Sequence, residues 1–314
     1  MGTVEGVRAV ITGATSGLGQ AMADALLEEG ARVGFASRRG ERLEKAVAIR
    51  RQRGLDAVAV PVDVRDAGSV QAMAGAAIEA LGGVDVVYNN AGIGMRTVNP
   101  HFLNDPKPFY EVPAEGFVDV INTNLVGYFL VARAFAAYFV SQGRGRFVNV
   151  TMNHETMRRR GFVPYGPSRA GAESLSVIMT EDLRPLGISV NMLLPGGATA
   201  TGMIPEGLSE AARASLLPAS VMGRPAVFLA SKEAEGLPAS GSLPKSSIHG
   251  SRSTARGARP RPSVHIKSRS DHAWETRPDP PQMRRGRFRP SHSLKANPAT
   301  QPGPERCAQV TMCP

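Results

Sequence analysis

Along the first two hundred residues, short apolar runs alternate with stretches whose apolar residues recur every three or four positions. The runs Val7 to Thr12, Arg32 to Ser37, Asp56 to Val60, Val84 to Asn89, Arg146 to Val150 and Ile188 to Leu194 are too short for helices and read as strands. Between them, Gln20 to Glu29, Glu41 to Arg53, Ser69 to Leu81, about Phe117 to Gln142 and about Tyr165 to Leu186 carry helical periodicity. Alternation this regular predicts an α/β fold in which a doubly wound parallel sheet carries helices on both faces. Gly94 to Ala114 breaks the pattern, with four prolines and no periodicity, and reads as a loop over the site or a surface insertion.

Composition divides the chain in two. Over residues 1–236 Lys and Arg balance Asp and Glu at 23 each, whereas residues 237–314 hold 14 against 4, so the net charge of +10 belongs to the tail. Half of the 24 prolines and both cysteines, Cys307 and Cys313, also lie there, leaving the body without a disulfide framework or thiolate metal site. The first strand begins within about seven residues, with no room for a signal peptide, and the most apolar helical stretch, Leu125 to Val140, carries Arg133 and is shorter than the roughly 20 residues that span a bilayer. A cytoplasmic protein without a membrane partner is expected.

Gly13, Gly17 and Gly19 follow the first strand with spacing G-x-x-x-G-x-G and open a helix. Glycines let the backbone turn sharply and admit a diphosphate, and the first helical amides then point at the anion. Gly13, Thr15, Ser16, Gly17, Leu18 and Gly19 are therefore the candidate dinucleotide cradle, the alternative being a glycine-rich turn with no ligand. Ligands of open α/β sheets sit beyond the carboxyl ends of the strands. The second strand ends in Ser37-Arg38-Arg39, without the acidic residue that would accept from a ribose 2′-hydroxyl; a guanidinium there favours a 2′-phosphate, hence NADP over NAD, unless the arginines only open a solvated helix. Asp63, with Val64 beside it, is placed to hold the adenine amino group or to cap a helix. Asn90, Ala91 and Gly92, after the fourth strand, are placed for the ribose. His154 and Glu155 have no partner at metal-ligand spacing, and Arg158-Arg159-Arg160 serves either an acidic substrate or a solvated loop.

Thr12 to Gly19, Asn89-Asn90-Ala91-Gly92, Asn124, Tyr165-Gly166-Pro167-Ser168-Arg169 and Pro195-Gly196 resemble, in order and spacing, the short-chain dehydrogenases/reductases of the classical type, over about residues 5 to 235. The resemblance implies one Rossmann-like domain with a seven-stranded parallel sheet. It implies hydride transfer between a nicotinamide and a carbonyl or alcohol substrate, and a homodimer or homotetramer packed through the two long helices. In that family the chemistry rests on Asn, Ser, Tyr and Lys, the tyrosine acting as general acid/base. A phenol near pKa 10 needs a nearby cation for that work. Tyr165 and Asn124 match. Arg169 stands in the lysine's place, on the same helix face as Tyr165, and Met152 stands in the serine's place, with Asn153 the first-choice substitute donor. The resemblance also places Pro195, Gly196 and Thr199 or Thr201 at the nicotinamide, under a closing segment Gly202-Met203-Ile204-Pro205. These departures leave two readings: an NAD(P)-dependent oxidoreductase, or a catalytically impaired relative that binds the dinucleotide without turnover.

From Leu237 onward the chain is rich in Pro, Ser and Arg, poor in aromatics and without periodicity, so residues 237–314 read as a disordered basic tail. Leu237 to Ser247, written in permitted codons and read two bases later, yields Ala-Gly-Lys-Arg-Phe-Ile-Ala-Lys-Glu-Phe, a strand of the kind the family has there. A frame change near Gly236 is the reading of this tail, with loss of the last strand, an exposed sheet edge and a weakened oligomer surface. Nucleic acid or an anionic membrane is the competing partner, against which stands the lack of interleaved aromatics and of a basic helical face.

Overall fold

The computed structural model describes residues 2–205, 207–235, 265–268 and 309–312. Six parallel strands form its centre: β1 (Arg8–Thr12), β2 (Arg32–Ser37), β3 (Ala57–Pro61), β4 (Val86–Asn89), β5 (Gly145–Val150) and β6 (Ile188–Leu194), in the order β3-β2-β1-β4-β5-β6. This is the doubly wound order, in which the chain reverses direction across the sheet between β1 and β4 and leaves a crevice at their carboxyl ends. Alternate side chains enter opposite cores. Ile11, Phe35 and Tyr88 meet Met22 and Leu26 of α1 (Gly17–Glu28) and Leu43 of α2 (Glu41–Gln52). On the other face, Val10, Val87 and Phe147 meet Met73 of α3 (Ala67–Leu81), where Asp66 caps the helix by accepting from the Ser69 amide.

The helix expected over Phe117 to Gln142 is a longer run, Ala114–Gln142, made of α4 (Ala114–Ile121), a π turn (Asn122–Val126) and α5 (Gly127–Gln142). At 29 residues it is long and apolar enough to cross a bilayer, so the length argument drawn from the sequence does not hold. Its apolar stripe is used inside the protein: Val131, Phe135 and Phe139 are buried against the sheet and against Met179 and Leu183 of α7 (Tyr165–Leu183), while Arg133 is exposed. Between β5 and α7 lies the short α6 (His154–Met157); α8 (Glu210–Ala214) and α9 (Gly223–Ala230) follow β6.

The place next to β6, where the resemblance implies a seventh parallel strand, holds an antiparallel one. Gln309–Met312 (β8) pairs with Asn191 to Leu194, and His265–Ser268 (β7) pairs in parallel with β8. Part of the edge expected to be open is thus covered by a tetrapeptide of the basic tail. The frame change near Gly236 and most of the segment 237–314 lie outside the described residues.

Candidate active site

The cleft lies at the carboxyl ends of β1 and β4 and has a volume of about 860 Å³, within the roughly 300–1,000 Å³ of ordinary ligand sites and near their upper end. Its cradle end is set by backbone conformation. Gly13 and Gly17 have φ of +70° and +55°, which a side chain tolerates poorly. Gly19 does not line the cleft; it allows α1 to pack on β1, since a Cβ there would collide with the Gly13 carbonyl and the Asn90 amide. No side chain caps α1 at Ser16, and Thr15, Ser16, Gly17 and Leu18 at the start of the helix line the cleft. These features suit a diphosphate.

Around the crevice, Thr12 Oγ1 accepts from the amides of Asn90 and Ala91 (2.9 and 3.0 Å), and Asn90 Nδ2 donates to the Thr12 carbonyl at 2.9 Å. Asn90 thereby ties β1 to β4 while lining the cleft with Ala91 and Gly92. At the far end Arg38 is joined by Arg42 and Arg65, which the sequence reading did not single out. Asp63 and Val64 line this end too, but both oxygens of Asp63 are taken by Arg65, at 3.0 and 2.7 Å. Hydrogen bonding from Arg65 holds the Asp63 carboxyl below its usual range.

Elsewhere along the cleft, α7 begins at Tyr165 and presents Arg169 one turn later. Arg169 is only 2% exposed. Its Nη1 donates to Tyr128 Oη at 2.7 Å and to the Val150 carbonyl at 2.9 Å. Its Cζ lies 5.2 Å from the ring centre of Tyr165 and 5.3 Å from that of Tyr128. Burial opposes the charge, but Tyr128 and Tyr165 outweigh it and hold the guanidinium above its usual range. The Arg169 Nε is buried without a partner. Asn124, carried on the π turn and fully buried, accepts from the Ile93 amide at 2.9 Å and donates to the Ile93 carbonyl and to Ser168 Oγ (2.9 and 3.2 Å). Ser168 Oγ in turn donates to the Tyr165 carbonyl at 2.7 Å, so Asn124 braces the first turn of α7.

Met152 lines the cleft and packs, with Tyr165, on a small apolar cluster of Met95, Phe102 and Phe162. The segment expected to be an aperiodic loop, Gly94 to Ala114, supplies two of those three and itself lines the cleft through Gly94, Arg96 and Thr97. Asn153, the expected substitute donor, is placed elsewhere: its Oδ1 caps α6, accepting from the Thr156 amide at 2.8 Å, and it does not line the cleft. Thr151 Oγ1 turns to Glu173 at 3.0 Å, and His154 pairs with the same carboxylate at 2.6 Å. Arg158, Arg159 and Arg160 are exposed and do not line the cleft. On the other wall Pro195, Thr201 and Met203 line it; Gly196 and Thr199 do not, and the Thr199 hydroxyl donates to the Gly197 carbonyl at 3.0 Å.

A family model described as short chain dehydrogenase matches residues 8–210. The chain belongs to the short-chain dehydrogenase/reductase family. Among its relatives in the family are a gluconate 5-dehydrogenase of Gluconobacter oxydans, 30% identical over 194 residues (62% of this chain, 72% of the relative), and a 2,5-dichloro-2,5-cyclohexadiene-1,4-diol dehydrogenase of Sphingobium indicum, 31% identical over 235 residues (72% and 90%). A short chain dehydrogenase from Burkholderia cenocepacia, solved in complex with NADP, superimposes with a TM-score of 0.64 at 25% identity, over 75% of this chain and 94% of that one.

Proposed function

We propose that this short-chain dehydrogenase/reductase is an NADP-preferring oxidoreductase that interconverts a carbonyl and a secondary alcohol, with Tyr165 as the proton-exchanging group and Arg169 as its cation. The observation that supports the reading best is the buried guanidinium of Arg169 beside the Tyr165 ring at the end of a glycine-cradled cleft. Residues from Gly13 to Leu18 would hold the diphosphate, Asn90 to Gly92 and Pro195 the ribose and nicotinamide, and Arg38, Arg42 and Arg65 a 2′-phosphate. Thr201 lines the cleft and takes the carboxamide role considered for Thr199. The dinucleotide, when bound, supplies or accepts the hydride at the substrate carbon. Tyr165 gives its phenolic proton to the carbonyl oxygen as that oxygen gains charge, and Arg169 stabilises the phenolate left behind. In the oxidative direction Tyr165 takes the alcohol proton. Met152, Met203 and Ile93 line the cleft beside Tyr165, with the cluster of Met95, Phe102 and Phe162 packed behind Met152, and these apolar side chains suit a substrate with an apolar body next to its carbonyl.

A second reading rests on Met152. A thioether donates no hydrogen bond, and removal of one donor to a developing oxyanion costs on the order of 10²–10³ in rate. On this reading the protein binds dinucleotide without useful turnover. Steady-state turnover over a panel of apolar ketones and aldehydes with NADPH separates the two. The oxidoreductase reading expects measurable turnover in the parent chain, loss of about 10³ in Tyr165→Phe, and a gain in Met152→Ser of about 10². Absence of turnover in the parent, with activity appearing only in Met152→Ser combined with Arg169→Lys, establishes the second reading instead. Calorimetric titration with NADPH and NADH tests the cofactor: NADPH binds at least about tenfold more tightly, and Arg38→Asp removes that margin of about 1.4 kcal/mol.

A further inference from the structure

Arg169 is a buried cation without a buried counter-ion. Among the described residues no carboxylate pairs with it; the hydrogen bonds of its Nη1 go to neutral groups, the hydroxyl of Tyr128 and the carbonyl of Val150. Guanidinium is wide and planar, and a long side chain held only by its stem loses its pose readily. Something must therefore fix its plane at the reacting end.

The Tyr128 hydroxyl completes a three-way contact, since it also donates to the Val150 carbonyl at 3.0 Å. Tyr128 stands on the first turn of α5, is 2% exposed, and lies in an otherwise apolar run, where a phenol needs a polar partner. Burial pushes its phenol above the usual value, although Arg169 pulls the other way, so the hydroxyl keeps its proton and keeps donating to Val150. On the opposite side, Nη2 lies against Gly92, where a Cβ would come within 2.6 Å of it and 3.0 Å of Asn124 Oδ1. The guanidinium is thus held at Nη1 by Tyr128 and Val150 and given room at Nη2 by Gly92, with the Tyr165 ring on its flank.

We infer that Tyr128 is a positioning residue: by anchoring Nη1 of Arg169 against the Val150 carbonyl it fixes the guanidinium beside Tyr165 and so allows an arginine to serve at this site. The inference rests on the oxidoreductase reading for its consequence on turnover, but the anchoring itself does not. A short ammonium group in Arg169→Lys has no Nη1 to anchor, so the Tyr128 hydroxyl should matter only while residue 169 is arginine.

The test is a double-mutant cycle of Tyr128→Phe and Arg169→Lys in the full chain, read by kcat and KM with NADPH and by the side-chain ¹⁵N signals of Arg169, identified by their disappearance in Arg169→Lys. Tyr128→Phe keeps the ring and its packing. It is expected to lower kcat about tenfold beside Arg169 and less than twofold beside Lys, and to merge Nη signals that are separate in the parent, because rotation about the Cζ–N bonds is freed. Equal effects on kcat in both backgrounds, or unchanged Arg169 signals, overturn the inference, since a packing role would act regardless of residue 169. If the parent shows no turnover and the signals still merge, the oxidoreductase reading fails and the anchoring stands. Should Tyr128→Phe not fold, the parent chain decides alone: separate Nη signals for Arg169 support the anchoring, and a single averaged Nη signal refutes it.

Discussion

Met152 and Arg169 show how far single residues can move a site without moving its fold. Both occupy backbone positions that the strand and helix around them dictate, so their substitution changes which hydrogen bonds are offered and leaves the cleft standing. Away from the cleft, Arg8 and Asp85 join the start of β1 to the entry of β4: the Arg8 amide and Nε donate to Asp85 Oδ2, both at 2.9 Å, and Nη2 donates to Oδ1 at 2.8 Å. Desolvation raises the carboxyl, but the hydrogen bonds from Arg8 outweigh it and hold Asp85 below its ordinary value. A depressed carboxyl stabilises the fold above its unfolded pKa of about 3.9 and loses that contribution as pH falls through the lower folded value. Both side chains are partly exposed, at 21% and 29%, so Asp85→Asn is expected to cost about 1 kcal/mol near neutral pH, the low end for charged pairs. Thermal melts should show a drop of about 2–4 °C at pH 7 that shrinks toward pH 3.

At the scale of the element, α1 and the run from α4 to α5 do most to place the site. α1 can start this close to the end of β1 only because residue 19 has no side chain against the Gly13 carbonyl. Gly19→Ala should therefore displace α1 from β1, cost about 1–3 kcal/mol by overpacking, and weaken NADPH binding in calorimetry more than it lowers the melting temperature; intact NADPH affinity would count against this account. The glycine spacing made that element legible from the sequence. The π turn was not legible, because Asn122 to Val126 has ordinary helical periodicity and only the docking of Asn124 on Ile93 and Ser168 marks the extra width. The wall built from Gly94 to Ala114 was equally hidden, since Met95 and Phe102 acquire a partner only when Phe162, some sixty residues away, folds over them.

At the scale of the molecule, two surfaces bear on association. Phe129 on α5 and Ile178 on α7 are 46% and 57% exposed, and they are where a homodimer or homotetramer packed through the long helices, as the family resemblance implies, would make its contact. Light scattering should find a dimer or tetramer, and Phe129→Glu with Ile178→Glu should shift it to monomer while the melt stays cooperative. The other surface is the β6 edge, paired by Gln309–Met312; removing residues 309–314 frees those ladder groups, and concentration-dependent association should rise in size-exclusion chromatography. The sequence by itself determined the α/β alternation, the glycine-rich turn that opens α1, the family, and the pairing of Tyr165 with Arg169 on one helix face, because each is written in local spacing: period, glycine position, i and i+4. Only the tertiary structure decided that Asn153 caps α6 instead of facing the cleft, that Thr201 lines the cleft in preference to Thr199, that β6 pairs with an antiparallel segment of the tail, and that Tyr128 and Val150 hold the guanidinium. Those outcomes depend on which of several hydrogen-bonding groups meet across elements distant in the chain, and no local pattern records that choice.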